Sequence, residues 1–430
     1  MSLQTPPSPH GTEQIEAARP RVILVQDGAR LRYALPRALK AAGVLETMHT
    51  DWFIRPGTLD PALAGLLRRL PYSVGRRLAN RRSPELRGSR VITAGWSALW
   101  ARLCERADAL PEELWRHRSR AMARQVLADG WRDANALAGF IRNIDPLICE
   151  AARGCGMTVV LDQMIAPMDI EAAAAAEQQA LWPGWESQTT PAGGASMREV
   201  EQRSWAAATA ISCASDYVRD GLVRCGVPPQ RIAVVPYPID THLFTYLDRR
   251  RREGPVRVGF VGALSLRKGA PAFLTLARHF GPEAASFTMV GPSVLDPGIL
   301  ERERGRVQLT GNILASSVPE WLAGFDLFVF PSTCEGSAGA VMEAMATGLP
   351  VVTTPQSGSL VRDGIEGYVH ESYDLDGMTA SIDRLIRDPE LRYCMGRAAR
   401  LRGEAVTIDQ YGKAWRALLE NGLSRQGVPA

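Results

Sequence analysis

Short apolar runs alternate with stretches of helical spacing along most of the chain, and that alternation predicts repeated βα units. In the first half, strands are expected at residues 21–26, 45–49, 90–93, 134–138, 157–161, 209–214 and 232–235, with helical patterns such as 35–42 and 217–225 between some of them. In the second half, strands are expected around Val256, Phe287, Val307, Leu327, Pro350 and Gly367. Residues 247–255 read LDRRRREGP, a charged stretch ending in Gly-Pro, and form the expected linker. The fold class is therefore α/β, with two doubly wound Rossmann-like domains facing a cleft. The expected division is a disordered tail at 1–19, an N-terminal domain at 20–247, a C-terminal domain at 248–405 and a closing helical segment at 406–430.

The pattern changes character between Asp326 and Thr354. A buried strand (326–331) leads through a polar turn into a helix (338–347) with Ala338, Val341, Met342 and Met345 on one face, stopped by Gly348 and Pro350. Glu343 sits in a helix that is apolar nearly all round, so its carboxylate should be buried and should have donors nearby. Glu335 precedes it in the turn, and at roughly 1.5 Å of rise per residue the two acids span a site about 10 Å long. That spacing suits an extended polyhydroxy ligand. The amides from Gly336 to Ala340 open a helix, where a phosphate is favoured. A structural Glu343 bonded to backbone is the alternative.

A second turn adds cations. The strand 256–261 is followed by GALSLRKG at 262–269, which puts Arg267 and Lys268 at a strand end. Among 50 Lys plus Arg the chain has three lysines, Lys40, Lys268 and Lys413, so a lysine at this turn suggests a compact positive charge for an anion.

Glu335 and Glu343, in EGSAGAVMEAMATGLPVV, together with FVGALSLRKG and VVPYPIDTHLF, resemble retaining glycosyltransferases of family 4, which have the GT-B fold. The resemblance covers about 208–399, and the N-terminal domain is similar mainly in layout. It implies a hexosyltransferase that moves a sugar from a UDP-, GDP- or ADP-sugar to a glycan, lipid-linked or small-molecule acceptor with retention, as in bacterial polysaccharide assembly. It implies Lys268 at the diphosphate, Glu335 by the donor sugar, Glu343 at the ribose, and Gly262, Gly336, Ser337, Ala338 and Gly339 around the donor. The closing helix at 408–419 is implied to pack back on the first domain. The chain departs from the family in three places: Ala263 stands where an arginine is common, a charge that Arg267 can supply. Ser337 and Ala338 replace Phe and Gly, and Asp162 and Gln163 follow a strand after which many members have histidine. Asp162 can orient the acceptor, act as a base, or be a turn residue. A GT-B subunit that binds sugar without turnover is the alternative function.

Composition agrees with a soluble globular chain, with 46% hydrophobic and 22% charged residues and a net charge of +4. No run approaches the roughly 18 apolar residues of a membrane span. The proline-rich first twenty residues read as neither signal peptide nor anchor. Seven scattered cysteines without a C-x-x-C fit a reduced cytosol and no structural zinc, and neither a metal nor a cofactor is called for. Gly28, Arg30 and Arg32 follow the first strand and can meet an acceptor or phosphate there. Trp182 and Trp185 can line a cleft or simply pack. Between Leu66 and Arg90, eight arginines and a leucine stripe can rest on an anionic membrane or form an ordinary solvated face. With one aromatic, Tyr72, the segment is a poor nucleic-acid site. The expected location is the cytoplasm, with a peripheral position on the inner membrane face left open.

Overall fold

The apolar runs form two parallel sheets, and their residues are apolar without alternation because helices cover both faces. The computed structural model describes residues 19–55, 81–93, 111–186, 194–249 and 253–426. Residues 66–80 of the basic segment lie outside them. The first sheet has seven strands in the order β3-β2-β1-β4-β5-β6-β7. These are β1 (Val22–Gln26), β2 (Leu45–Thr50), β3 (Arg90–Thr93), β4 (Ala136–Phe140), β5 (Thr158–Gln163), β6 (Ala210–Cys213) and β7 (Ile232–Val234). The second has six, in the order β10-β9-β8-β11-β12-β13. They are β8 (Val256–Val261), β9 (Ala285–Val290), β10 (Val307–Leu309), β11 (Leu327–Phe330), β12 (Val351–Thr353) and β13 (Gly367–Val369).

The largest strand-boundary differences from the sequence expectation fall in β4 and β5. β4 starts at Ala136 rather than 134 because Asn135 is held in the entry turn, its side chain accepting the Arg21 N–H at 2.8 Å. β5 runs two residues further than expected, to Gln163, which takes Asp162 and Gln163 into the sheet.

Each sheet reverses its strand order once, between β1 and β4 in the first and between β8 and β11 in the second. Ligands of open α/β sheets bind at such points, beyond the carboxyl ends of the strands. The turns after β1, β4, β8 and β11 are therefore the four that position a site.

The second domain's core stacks Phe260 on Phe330 at 5.2 Å and Phe328 on Phe330 at 6.1 Å beneath the helix Gly339–Ala346. In the first domain, Ile23, Val25, Leu137 and Val159 pack on one face of the sheet. Val22, Leu24, Ala138 and Val160 pack on the other, joined by Tyr411, Trp415 and Leu419 from the helix Ile408–Gln426. The last helix thus buries its aromatic residues in the first domain, and Gly412 lets it approach the Ala38 carbonyl. Trp415 is fully buried. Trp415→Ala should cost about 3–5 kcal/mol of stability. Urea unfolding followed by circular dichroism would reveal it, and a loss below about 1 kcal/mol would mean that the helix is not part of that core.

Candidate functional site

The turns after the two reversal points meet in a cleft of about 490 Å³. Arg30 and Arg32 come from the turn after β1, Arg142 follows β4, Arg267 follows β8, and Glu335 follows β11. Gly336, Ser337, Gly339, Met342 and Glu343 complete the side made by the second domain, and Met164, Ile165 and Tyr237 face them.

Glu335 ties the two turns of the second domain together. Its Oε1 accepts from Arg267 Nη1 at 2.8 Å and from Lys268 Nζ at 2.9 Å, and its side chain is only 11% exposed. Lys268 Nζ also lies 5.3 Å over the ring of Phe330, so the ammonium is held between a carboxylate and a π face. Gly262 makes room for the lysine stem, since a Cβ there would lie 3.3 Å from Lys268 Cδ. Gly336 is where the domains touch: a Cβ would stand 1.8 Å from the Met164 carbonyl oxygen, and its own carbonyl accepts from Ser215 Oγ at 2.6 Å. Only glycine fits that approach.

Glu343 departs from the expectation of nearby donors. Among the described residues nothing donates a hydrogen bond to its carboxylate, and burial, opposed only by Arg32 across the cleft, raises its pKa to about 7. Ala338 departs as well. It is buried, and its N–H donates to the Ser357 carbonyl at 2.8 Å, so it braces the turn instead of offering an amide to the cleft.

The three acceptor-side residues also lie differently from expectation. Asp162 is fully buried, bonded to Ser212 Oγ at 2.7 Å and to Tyr237 OH at 2.5 Å, and burial raises its pKa. It cannot reach an acceptor as a base. It fixes Tyr237, whose OH accepts from Arg30 at 3.0 Å, and the Arg30 guanidinium lies 5.4 and 5.3 Å from the rings of Phe140 and Tyr237. Gln163 is buried between Glu201, Trp205 and the Ile165 carbonyl. Gly28 has φ 86° and donates to Asp51 at 3.0 Å beside Arg81, outside the cleft lining.

Two features of the cleft left no sequence signal. Leu31, Arg32 and Tyr33 are consecutive left-handed residues with φ 47, 53 and 61°, each costing about 1–2 kcal/mol in an L-residue. That turn aims Arg30 and Arg32 inward. Arg142, also left-handed at φ 69°, is clamped by Glu171 at 2.6 Å and Glu201 at 2.8 Å. A long-range pairing fixes each of these, so no local motif announces it.

With this geometry in place, the comparisons bear on the second domain. Residues 255–388 match the sequence profile of the family described as Glycosyl transferases group 1. They form a group 1 glycosyltransferase domain. The glycosyltransferase relatives include an alpha-D-kanosaminyltransferase of Streptomyces kanamyceticus, 26% identical over 45% of this chain and 55% of that protein. Another is the amylovoran biosynthesis glycosyltransferase AmsK of Erwinia amylovora, 28% identical over 38% of this chain and 44% of that protein. The chain spans about half the length of the curated relatives it matches. Among solved structures, Anabaena HepE, crystallised with UDP-glucose, superposes with a TM-score of 0.59 over 94% of this chain and 99% of its own, at 15% identity. The two-sheet glycosyltransferase architecture is the GT-B fold.

The state of Glu343 has a measurable consequence. Unfolded, a glutamate has a pKa near 4.5, while in the fold it is about 7, so between these values the folded protein keeps a proton the unfolded chain has lost. Stability therefore falls as pH rises through that window. Glu343→Gln should match the parent at pH 4.5 and exceed it at pH 8 by on the order of 2 kcal/mol. Denaturant midpoints at the two pH values measure this, and equal midpoints at pH 8 would refute it.

Proposed function

We propose that the protein is a retaining glycosyltransferase that moves a sugar from a nucleotide-sugar donor to an acceptor held by the N-terminal domain. The observation that carries the reading is the convergence of Arg267, Lys268 and Glu335 on one carboxylate oxygen at the sheet's reversal point. Two cations held there suit a diphosphate. Glu343, ionisable and without a donor, suits the hydroxyls of a ribose. The unbonded amides at the start of Gly339–Ala346 add partial positive charge between the two.

The chemistry follows from where charge develops. As the glycosidic bond to the leaving diphosphate breaks, negative charge grows on its oxygens. Arg267 and Lys268 stabilise that charge more than they stabilise the intact donor, which lowers the barrier. Glu335 holds both cations until the donor arrives, so little reorganisation is needed. Retention follows the family pattern, in which the acceptor attacks from the face the diphosphate leaves. A UDP-sugar is the first donor to test, because HepE was crystallised with UDP-glucose.

The acceptor faces Arg30, Arg32, Tyr237, Met164 and Ile165, a wall that combines cations with apolar surface. A glycan or lipid-linked sugar fits it. A sugar-binding subunit without turnover is the second reading, favoured by Ala263 after Gly262 and by the absence of a histidine at Asp162 and Gln163.

Lys268→Ala should lower kcat about 100-fold with melting temperature little changed. Release of nucleotide diphosphate, followed while UDP-, GDP- and ADP-sugars are screened with membrane extract, measures it. Unchanged turnover would remove Lys268 from the mechanism, and no release by the parent with any donor would favour the binding subunit.

A peripheral membrane contact through the segment between Leu66 and Arg90 belongs to the same reading. Arg81 and Arg90 are already committed to Asp51 at 3.3 Å and Asp129 at 2.7 Å, so the remaining arginines would have to carry it. Flotation with vesicles containing anionic lipid should recover the protein at low salt and release it at high salt. Absence of flotation at low salt would point to an acceptor in solution.

A further inference from the structure

The chain after the helix Met168–Leu181 crosses from the N-terminal domain onto the donor domain. Trp182 and Trp185 stack edge to face, 4.9 Å apart, and rest on the core of the second domain. The Trp185 carbonyl accepts from the Asp296 N–H at 2.8 Å, and Glu186 pairs antiparallel with Leu295. The half-buried carboxylate of Glu186 then accepts the N–H of Leu266, the residue before Arg267.

The other side of this turn is held by its own domain. The Arg267 carbonyl accepts from the Thr333 N–H at 2.9 Å and from the hydroxyls of Thr333 and Ser332 at 3.1 and 3.2 Å. Gly269 lies so close to Pro331 that a Cβ would fall 1.9 Å from its carbonyl oxygen. The turn bearing both cations is thus gripped between the strand-end turn after β11 and a strap from the opposite domain. A charged acceptor makes a stronger bond to a backbone amide than a neutral one. Glu186 is not part of the cleft lining, and it acts on the turn through the Leu266 N–H and through its charge beside Arg267.

We propose that Glu186 is a positioning residue of the donor site, through which the N-terminal domain holds the Arg267–Lys268 turn in register with the acceptor wall. The inference rests on the transferase reading for its kinetic consequence. A displacement of about 1 Å at a charge-stabilising group can cost up to 100-fold in rate, which is the scale on which such a grip matters. The strap also makes domain arrangement and donor electrostatics one variable, since separating the domains there would pull on Leu266.

The test compares Glu186→Ala, Glu186→Gln and Glu186→Asp in the full chain, with calorimetric UDP affinity as a readout independent of turnover. Glu186→Ala should weaken UDP binding and lower kcat, each about tenfold. Its acceptor KM should stay within about twofold of the parent. Glu186→Gln keeps an acceptor oxygen at the same reach and should recover most of both. Glu186→Asp, one methylene short, should resemble the alanine variant and serves if that variant does not fold. In Glu186→Ala/Arg267→Ala the losses should not add, because both act through one turn. UDP affinity and kcat within about twofold of the parent in the alanine or aspartate variant would overturn the proposal. Additive losses, or a glutamine variant as impaired as alanine, would overturn it too. A parent that binds UDP yet transfers no sugar would sink the transferase reading, while the UDP affinities would still decide the role of Glu186.

Discussion

One oxygen atom organises the cleft. Glu335 Oε1 takes hydrogen bonds from both Arg267 and Lys268, and these are the cations of the turn after β8, while Glu335 belongs to the turn after β11. A carboxylate as buried as this one is costly without partners, and with two cations on it either one still pairs it when the other is removed. The pairing therefore constrains both turns. It also holds two cations beside a cleft without leaving them unpaired. Under the proposed function, a phosphate that drew them away would leave the Glu335 carboxylate able to accept from a sugar hydroxyl.

The pairing works only because the backbone comes close elsewhere. Gly336 presses on the Met164 carbonyl, Gly269 presses on the Pro331 carbonyl, and Ser215 bonds the Gly336 carbonyl. The contacts of Gly336 fix the glutamate turn against the opposite domain, and the Gly269 contact fixes it against the turn that carries the cations. The left-handed run from Leu31 to Tyr33 shows the opposing wall held at a cost in backbone energy. Tyr33 anchors it by packing edge-on to Phe53 at 5.4 Å, and Asp162 anchors Arg30 through Tyr237. Strain of that kind persists because buried packing on either side over-determines the turn.

Strand positions and the turns after β8 and β11 were legible because they depend on local pattern. A parallel strand buried on both faces is a short apolar run, and a strand-to-helix turn rich in glycine and charge reads as a ligand turn from its residues alone. Asp162 and Gln163 were misplaced because the apolar run stops at Leu161 while the strand does not. Polar residues in β5 are tolerated only because Ser212, Tyr237, Glu201 and Trp205 satisfy them, and none of those partners is near in sequence. Arg142 and the strap at 182–186 were hidden for the same reason: each is defined by what it meets across the fold. The apolar stripe around Glu343 implied a buried carboxylate with donors nearby, whereas the residue is half-buried at the cleft and has no donor among the described residues.

That error is informative. A half-buried acid with no donor among the described residues, drifting toward neutrality, is a poor structural element, and removing it should stabilise the chain at high pH. A ribose would offer two hydroxyl donors, which favour the ionised form and would draw the pKa back toward the ordinary carboxylate range. Under the proposed function, Glu335 and Glu343 would divide the labour of one site, the first paired within the protein and the second completed by a ligand.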